Sequence, residues 1–225
     1  MRYVPSRASL AGMMVVLLAA VAAGLWPEAI YQRPDIPSGP TLKLLRALLV
    51  GQGVFFLLIW PACLLGQARR GMSIGIIQAV TRAAMLLAIA APVYVMSVFL
   101  SDATFADLLR GVLSVGAVIP LGYVAACYFI RWRASTPVVL LVLLLGTLAF
   151  PAGLYAVHEF VLPSGPIPPA AAYAGPVTFL WHQADGALTA VTPTPGIIPI
   201  AYLCIAFLAF MALIVIKPTT GKPQQ

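Results

Sequence analysis

Residues 44–66 read LLRALLVGQGVFFLLIWPACLLG. The run carries one charge, Arg46, near its start, and no alternation of apolar and polar positions. A helix rises about 1.5 Å per residue, so about 20 such residues cross ~30 Å of hydrocarbon. A lipid-facing barrel strand alternates over about 10 residues instead. The stretch therefore predicts a membrane-spanning helix. Five further stretches read the same way: Leu10–Trp26, Ala83–Leu100, Gly111–Ile130, Pro137–Val157 and Ile197–Ile216. None of the six contains Lys or Glu. The expected fold is all-α, a polytopic bundle of six transmembrane helices forming one domain over residues 1–225, with a long outer segment at 158–196.

Composition agrees. Of 225 residues, 62% are apolar and 8% charged. Soluble globular domains carry roughly 25% charged residues, so this chain is too poor in charge to cover a water-soluble surface. Disordered chains are poor in apolar residues and rich in charge, the reverse of what stands here.

Charge placement sets the expected orientation, because cytoplasmic loops collect Lys and Arg. With the N-terminus inside, the inner segments hold nine basic residues: Arg2, Arg7, Arg69, Arg70, Arg82, Arg131, Arg133, Lys217 and Lys222. The outer segments hold four, Arg33, Lys43, Arg46 and Arg110, and all six acids: Glu28, Asp35, Asp102, Asp107, Glu159 and Asp185. Both termini are therefore expected in the cytoplasm of a multi-pass protein of the cell (inner) membrane. The net charge of +7 follows from this topology, and no nucleic acid partner is needed to explain it. Arg2 and Arg7 before an apolar run also resemble a signal peptide with Ala20-Val21-Ala22 as its cleavage site. A retained first helix is the expectation, since removal leaves five spans and moves the N-terminus outside.

The inner connections leave no room for a cytoplasmic catalytic domain, and the chain has no G-x-x-x-x-G-K-[ST] phosphate loop, H-E-x-x-H or G-x-S-x-G motif. No catalytic residues are expected. Cys63, Cys127 and Cys204 sit in three different spans without C-x-x-C spacing, so neither a disulfide framework nor a zinc site is expected. The two histidines cannot supply the ligands of a haem pair. His158-Glu159 and His182-x-x-Asp185 have metal-ligand chemistry, but interfacial polar residues account for them equally well, and no metal or cofactor is assigned. No Asp, Glu or Lys lies deep in a span, hence no proton relay.

Three features remain. Gly51-Gln52-Gly53 places an amide in the bilayer between glycines that permit close helix approach; Gln52 is the expected intramembrane polar contact. Gly116 and Gly122 are expected to permit similar approach. Five spans contain a proline (Pro61, Pro92, Pro120, Pro151 and Pro199), each a potential kink. Residues 67–82, QARRGMSIGIIQAVTR, flank the apolar stretch Met72–Val80 with Arg69, Arg70 and Arg82. That stretch reads either as a solvated positive loop or as a short interfacial helix. On the outer side, Tyr173–Val191 is apolar enough to return as a short helix or re-entrant hairpin, with Trp181 at the interface.

Together, six spans, inner termini, an amphipathic stretch between spans two and three and a re-entrant-looking segment before span six resemble the membrane subunit of ABC-2-type transporters. The resemblance is one of layout across nearly the whole chain, not of motif. It implies a permease that works as a homo- or hetero-dimer with a separate cytoplasmic ATPase subunit and moves a hydrophobic or amphipathic substrate. It makes Met72–Val80 the coupling helix, with Arg69, Arg70, Ile76, Ile77 and Arg82 as coupling residues, and Tyr173–Val191 the outer re-entrant element. Two features depart from the family's pattern: only nine residues precede the first span, and the loop after span two has no acid. A non-catalytic structural or assembly subunit of a larger membrane complex fits the same composition.

Overall fold

In hydrocarbon each backbone N–H and C=O must find its partner within the chain, so continuous apolar runs fold as helices. The computed structural model describes residues 4–25, 43–72, 74–100, 104–133, 135–149, 176–183 and 197–215, and among them it contains helices and turns but no strand. Helix α1 spans Arg7–Leu25, α2 Lys43–Val54 and α3 Trp60–Arg69, with a π-helical turn Phe55–Ile59 joining α2 to α3. Then come α4 (Ile76–Leu100), α5 (Phe105–Arg131), α6 (Thr136–Leu144), a second π turn (Leu145–Ala149), α7 (Pro176–Gln183) and α8 (Ile197–Val215). Among the described residues, four helices are long and apolar enough to cross a membrane: Arg7–Leu25, Leu44–Arg69, Ile76–Leu100 and Phe105–Arg131. Pro137–Thr147 and Pro199–Ile214 are shorter apolar helices.

The α2–α3 rod is the most buried of the long helices. Helix α1 packs along α2, α5 along α2 and α3, α7 against α2 and α5, and α8 against α5. Its fully buried side chains include Leu45, Leu48, Leu49, Phe55, Phe56, Trp60 and Leu64. Phe56 meets Phe55 and Trp60 edge-on, at ring-centroid distances of 5.1 and 5.6 Å. Such edge-to-face pairs favour one interlocked arrangement over a merely greasy one.

The π turn in this rod has an identifiable cause. Pro61 has no N–H, and its ring clashes with the carbonyl four residues back, that of Leu57. Widening by one residue relieves the clash: the N–H of Trp60 bonds the carbonyl of Phe55, five residues back. In that register the carbonyl of Phe56 falls to Pro61, which cannot donate. This orphaned oxygen lies against Gly122 of α5, where a β-carbon would overlap it. The second π turn also ends two residues before a proline, Pro151, whose own placement lies outside the described residues.

Glycine contacts recur along the rod. A β-carbon on Gly51 would press on Ala20 and Val16 of α1 at 3.2 Å, and one on Gly53 would overlap Leu180 of α7. Gly111 admits Leu49 and Gly24 admits Leu44. Gly116 is not part of this pattern: among the described residues nothing lies within 4 Å of a β-carbon there, so its expected packing role is corrected. Helicity alone does not make a contact.

The connection between α3 and α4 is much shorter than the apolar pattern suggests. Helix α3 ends in a Schellman turn: Gly71 takes φ 75°, its N–H bonds Ala68 O at 3.0 Å, and the Met72 N–H bonds Gln67 O at 3.2 Å. Helix α4 then starts at Ile76, seven residues before the expected Ala83. Met72–Val80 is thus not a separate interfacial helix. Its second half, Ile76–Val80, forms the first turns of α4. Gln78, Thr81 and Arg82 break the hydropathy of the run without breaking the helix, since Thr81 Oγ1 donates to its own Ile77 O at 2.8 Å and Arg82 is hydrogen-bonded within the bundle. Helix α5 likewise starts early, at Phe105, under a capping box: Thr104 Oγ1 accepts from Asp107 N at 3.2 Å and Thr104 N donates to Asp107 Oδ2 at 3.0 Å.

Of the expected outer elements, the described part of Tyr173–Val191 is α7, an eight-residue helix. Leu180 reaches Gly53 and Phe179 lies 5.3 Å, ring to ring, from Tyr202 of α8. The helix therefore sits among the spans. The side chain of Trp181, and the remainder of 158–196, lie outside the described residues.

The Phe56–Gly122 approach is directly testable. Gly122→Ala should lower the thermal stability of the protein in detergent by about 1–3 kcal/mol, the usual range for overpacking, whereas Gly116→Ala should leave it unchanged or slightly raise it. Equal melting of the two variants would contradict the packing.

Candidate functional site

The helices bring the charged residues to two ends of the bundle. Gly24 near the end of α1 lies on Leu44 near the start of α2, and Leu48 O of α2 accepts from Tyr94 in the second half of α4 at 3.4 Å. At this end stand Arg46, Asp107 and Arg110, the last two 3.7 Å apart. At the other end Arg7 opens α1, Arg69 and Arg70 close α3, and Arg131 and Arg133 close or follow α5. Arg131 Nη1 donates to Leu213 O and Tyr128 OH to Ala209 O at 2.9 Å, which brings the C-terminus of α8 to the same end. An arginine on the last carbonyls of a helix also opposes the negative end of its dipole. Among the described residues this end has arginines and no carboxylate.

The expected coupling residues do not form one patch. Arg82 is only 7% exposed, and its Nη1 donates to Oε1 of the buried Gln67 at 2.5 Å. It therefore clasps α4 to α3. Such a bond to a charged group contributes roughly 1.5–3 kcal/mol. Arg70 lines a cavity of about 610 Å³ with Ser6, Arg7, Ile59, Gln67 and Leu140 among its walls. Arg69 is exposed, and Ile76 and Ile77 are 48% and 74% exposed. These three remain at the surface where α3 turns into α4.

The sequence pattern missed the Gln67–Arg82 pair and the placement of Arg7 and Arg70 on one cavity. The only signal for the first was two polar residues interrupting apolar runs on either side of a turn. Nothing in spacing signals the second, which depends on how α1 lies against α3.

Gln52 is fully buried, and neither its Oε1 nor its Nε2 has a hydrogen-bond partner among the described residues. It lies one turn from Leu49, which meets Gly111, and one turn from Phe56, whose oxygen meets Gly122, so it is level with the middle of α5. Three buried hydroxyls are satisfied locally: Ser97 Oγ bonds Tyr94 O at 2.7 Å, Ser114 Oγ bonds Arg110 O at 2.9 Å and Thr147 Oγ1 bonds Leu143 O at 2.6 Å. Gln52 is the exception. The expected helix–helix hydrogen bond from this amide is absent among the described residues, although its flanking glycines do pack as expected.

Among the described residues no group of three or more His, Cys, Asp or Glu side chains gathers to hold a metal. His158 and the side chain of His182 lie outside the described residues. Comparisons of the chain with protein-family models, with curated proteins and with solved structures give no match. What the fold defines is the class: an α-helical protein with apolar helices of membrane-spanning length.

An amide buried without partners costs roughly 1–3 kcal/mol by protein mutational measures. Gln52→Leu, of similar size, should therefore raise the melting temperature of the purified protein. A fall instead would mean that the membrane-embedded protein supplies the amide with a partner.

Proposed function

We propose that the chain is the membrane-embedded subunit of a transporter driven by a separate ATPase chain, an ABC-type permease. In this reading it crosses the cell (inner) membrane six times with both termini in the cytoplasm, works as a homo- or hetero-dimer and moves a hydrophobic or amphipathic substrate. The observation that carries it is the α3–α4 corner: Ile76 and Ile77 stand exposed beside Arg69, immediately after a six-residue turn. The corner is joined stiffly to the core. The Schellman turn fixes it to α3, and the Arg82–Gln67 bond ties the first turns of α4 to the same helix. Force on Ile77 passes directly into the rod α2–α3 and α4, so no separate coupling helix is required.

The arginine-rich end supports the cytoplasmic assignment through the positive-inside tendency. An apolar cavity of about 380 Å³ between α4, α5 and α8, walled by Pro120, Tyr123, Leu203 and Phe207 among others, suits an apolar cargo better than an ion. No Asp or Glu lies deep in its expected spans, so active transport must draw its energy from a partner. A second reading, a non-catalytic subunit of a larger membrane complex, is favoured by the local self-satisfaction of the buried hydroxyls, which leaves few polar groups to line a path.

Two measurements separate these readings. Purification in mild detergent should bring an ATPase with the wild-type protein, and Ile77→Asp should uncouple hydrolysis from transport while the bundle's melting temperature stays within a few degrees, since the side chain is largely exposed. If no ATPase accompanies the protein, the second reading replaces the first. For the topology, in a background lacking Cys63, Cys127 and Cys204, Phe105→Cys should react with an impermeant thiol reagent from outside the cell and Arg133→Cys should not. The reverse pattern would invert the orientation.

A further inference from the structure

We propose that the cavity between α1, α3 and α6 is a binding site for an acidic glycerophospholipid, with Arg7 and Arg70 holding the phosphodiester. The cavity of about 610 Å³ lies within the roughly 300–1,000 Å³ of small-ligand pockets. Its composition changes along its depth. Arg7, Ser6, Gln67 and Arg70 stand at the basic end; Ile59, Ala62 and Leu140 wall the part further in. Arg70 and Ile59 are about eleven residues apart on one rod, roughly 16 Å at helical rise. A polar head at Arg70 therefore puts the first part of an acyl chain against Ile59 and Leu140.

Charge selects the head. Neither Arg7 nor Arg70 makes a hydrogen bond or ion pair among the described residues, in contrast to Arg82 and Arg131 of the same end. The one described carboxylate, Asp107, belongs to the opposite end and is engaged by Thr104 and Arg110. Two guanidiniums from different helices, facing one cavity without a counter-ion, present forked donors that match phosphate oxygens. Basic pockets between membrane helices are well suited to anionic lipid head groups. A free anion would meet the arginines alone and leave the apolar depth unfilled. A lipid satisfies both parts, and it would brace α1 against α3 at the end where α3 turns into α4.

The test uses delipidated full-length protein in neutral detergent, with phosphatidylglycerol and phosphatidylcholine as probes and native mass spectrometry as readout. Wild-type protein should retain phosphatidylglycerol over phosphatidylcholine. Arg7→Gln with Arg70→Gln should weaken that retention roughly ten- to thirtyfold, and Arg7→Lys with Arg70→Lys should restore most of it. Arg69→Gln with Arg133→Gln removes the same charge from the same end, outside the cavity, and should leave retention near wild type. Leu140→Trp, which fills the apolar depth, should lower retention with both arginines intact. Equal losses in the two glutamine pairs would mean diffuse surface attraction and overturn the site. So would unchanged binding in Arg7→Gln with Arg70→Gln, or thermal stabilisation by inorganic phosphate alone as large as that by the lipid.

Discussion

The backbone carbonyl of Phe56 is the point on which the bundle turns. Pro61 withdraws the only N–H that the π register would offer this oxygen, and in a hydrocarbon setting no water replaces it. The fold answers by bringing α5 close enough for Gly122 to cover it. A Cα–H against a carbonyl is a weak contact, about 0.5–1 kcal/mol, and its energy is not what matters most. The contact requires that α5 carry a glycine at one height, which sets the register of α5 on the α2–α3 rod. With that register, Leu49 enters the space at Gly111, and Leu180 of α7 enters the space at Gly53 on the same face of the rod. One missing donor in one helix thus helps to decide where two neighbouring helices sit.

The same requirement governs the side chains. Ser97, Ser114 and Thr147 return their hydroxyls to carbonyls of their own helix, so each is satisfied before any helix meets another. They contribute little to specificity. The pair Gln67–Arg82 is different, because neither partner can be satisfied alone at that depth. It holds α3 and α4 together across their turn. Gln52 stands apart from both groups as a buried amide without a bond among the described residues. In a structure this economical with polar groups, it is the position where composition and packing conflict, and such conflicts concentrate at functional or strained sites.

How much of this could be read from the sequence depends on the range of the interaction. The helices were legible from apolar run length, since hydropathy over about 20 residues reports whether a segment can live in lipid. Their ends were less so. Hydropathy alone starts the α4 span at Ala83, because Gln78, Thr81 and Arg82 lower it, and only tertiary contact shows that Arg82 is hydrogen-bonded inside. Gly51 and Gly53 were legible as packing residues, whereas Gly116 looks the same and meets no close neighbour among the described residues. The glycine pattern says that close approach is possible; only the arrangement of neighbours says where it happens. The candidate site was half legible for the same reason. Arg69, Arg70 and Arg82 lie within one short stretch, yet they serve three different surroundings.

That division has a mechanical consequence. Arg82 buried at the start of α4 and Gly71 in its left-handed turn leave the α3–α4 connection only six residues, Arg70–Gly75. A flexible loop would absorb a push from a partner in its own backbone torsions. A hairpin pinned by a two-bond helix cap and a charged hydrogen bond has few torsions to give, so displacement at Ile77 must move α4 relative to α3 or move both. Above the hairpin the rod widens into the π turn at Phe55–Ile59, whose carbonyl ladder is already one donor short. Bending is cheapest where a hydrogen bond is absent beforehand. Motion begun at the arginine end is therefore expected to concentrate at Phe56–Pro61, against Gly122 and one turn from Gln52, where the core holds an amide still in want of a partner.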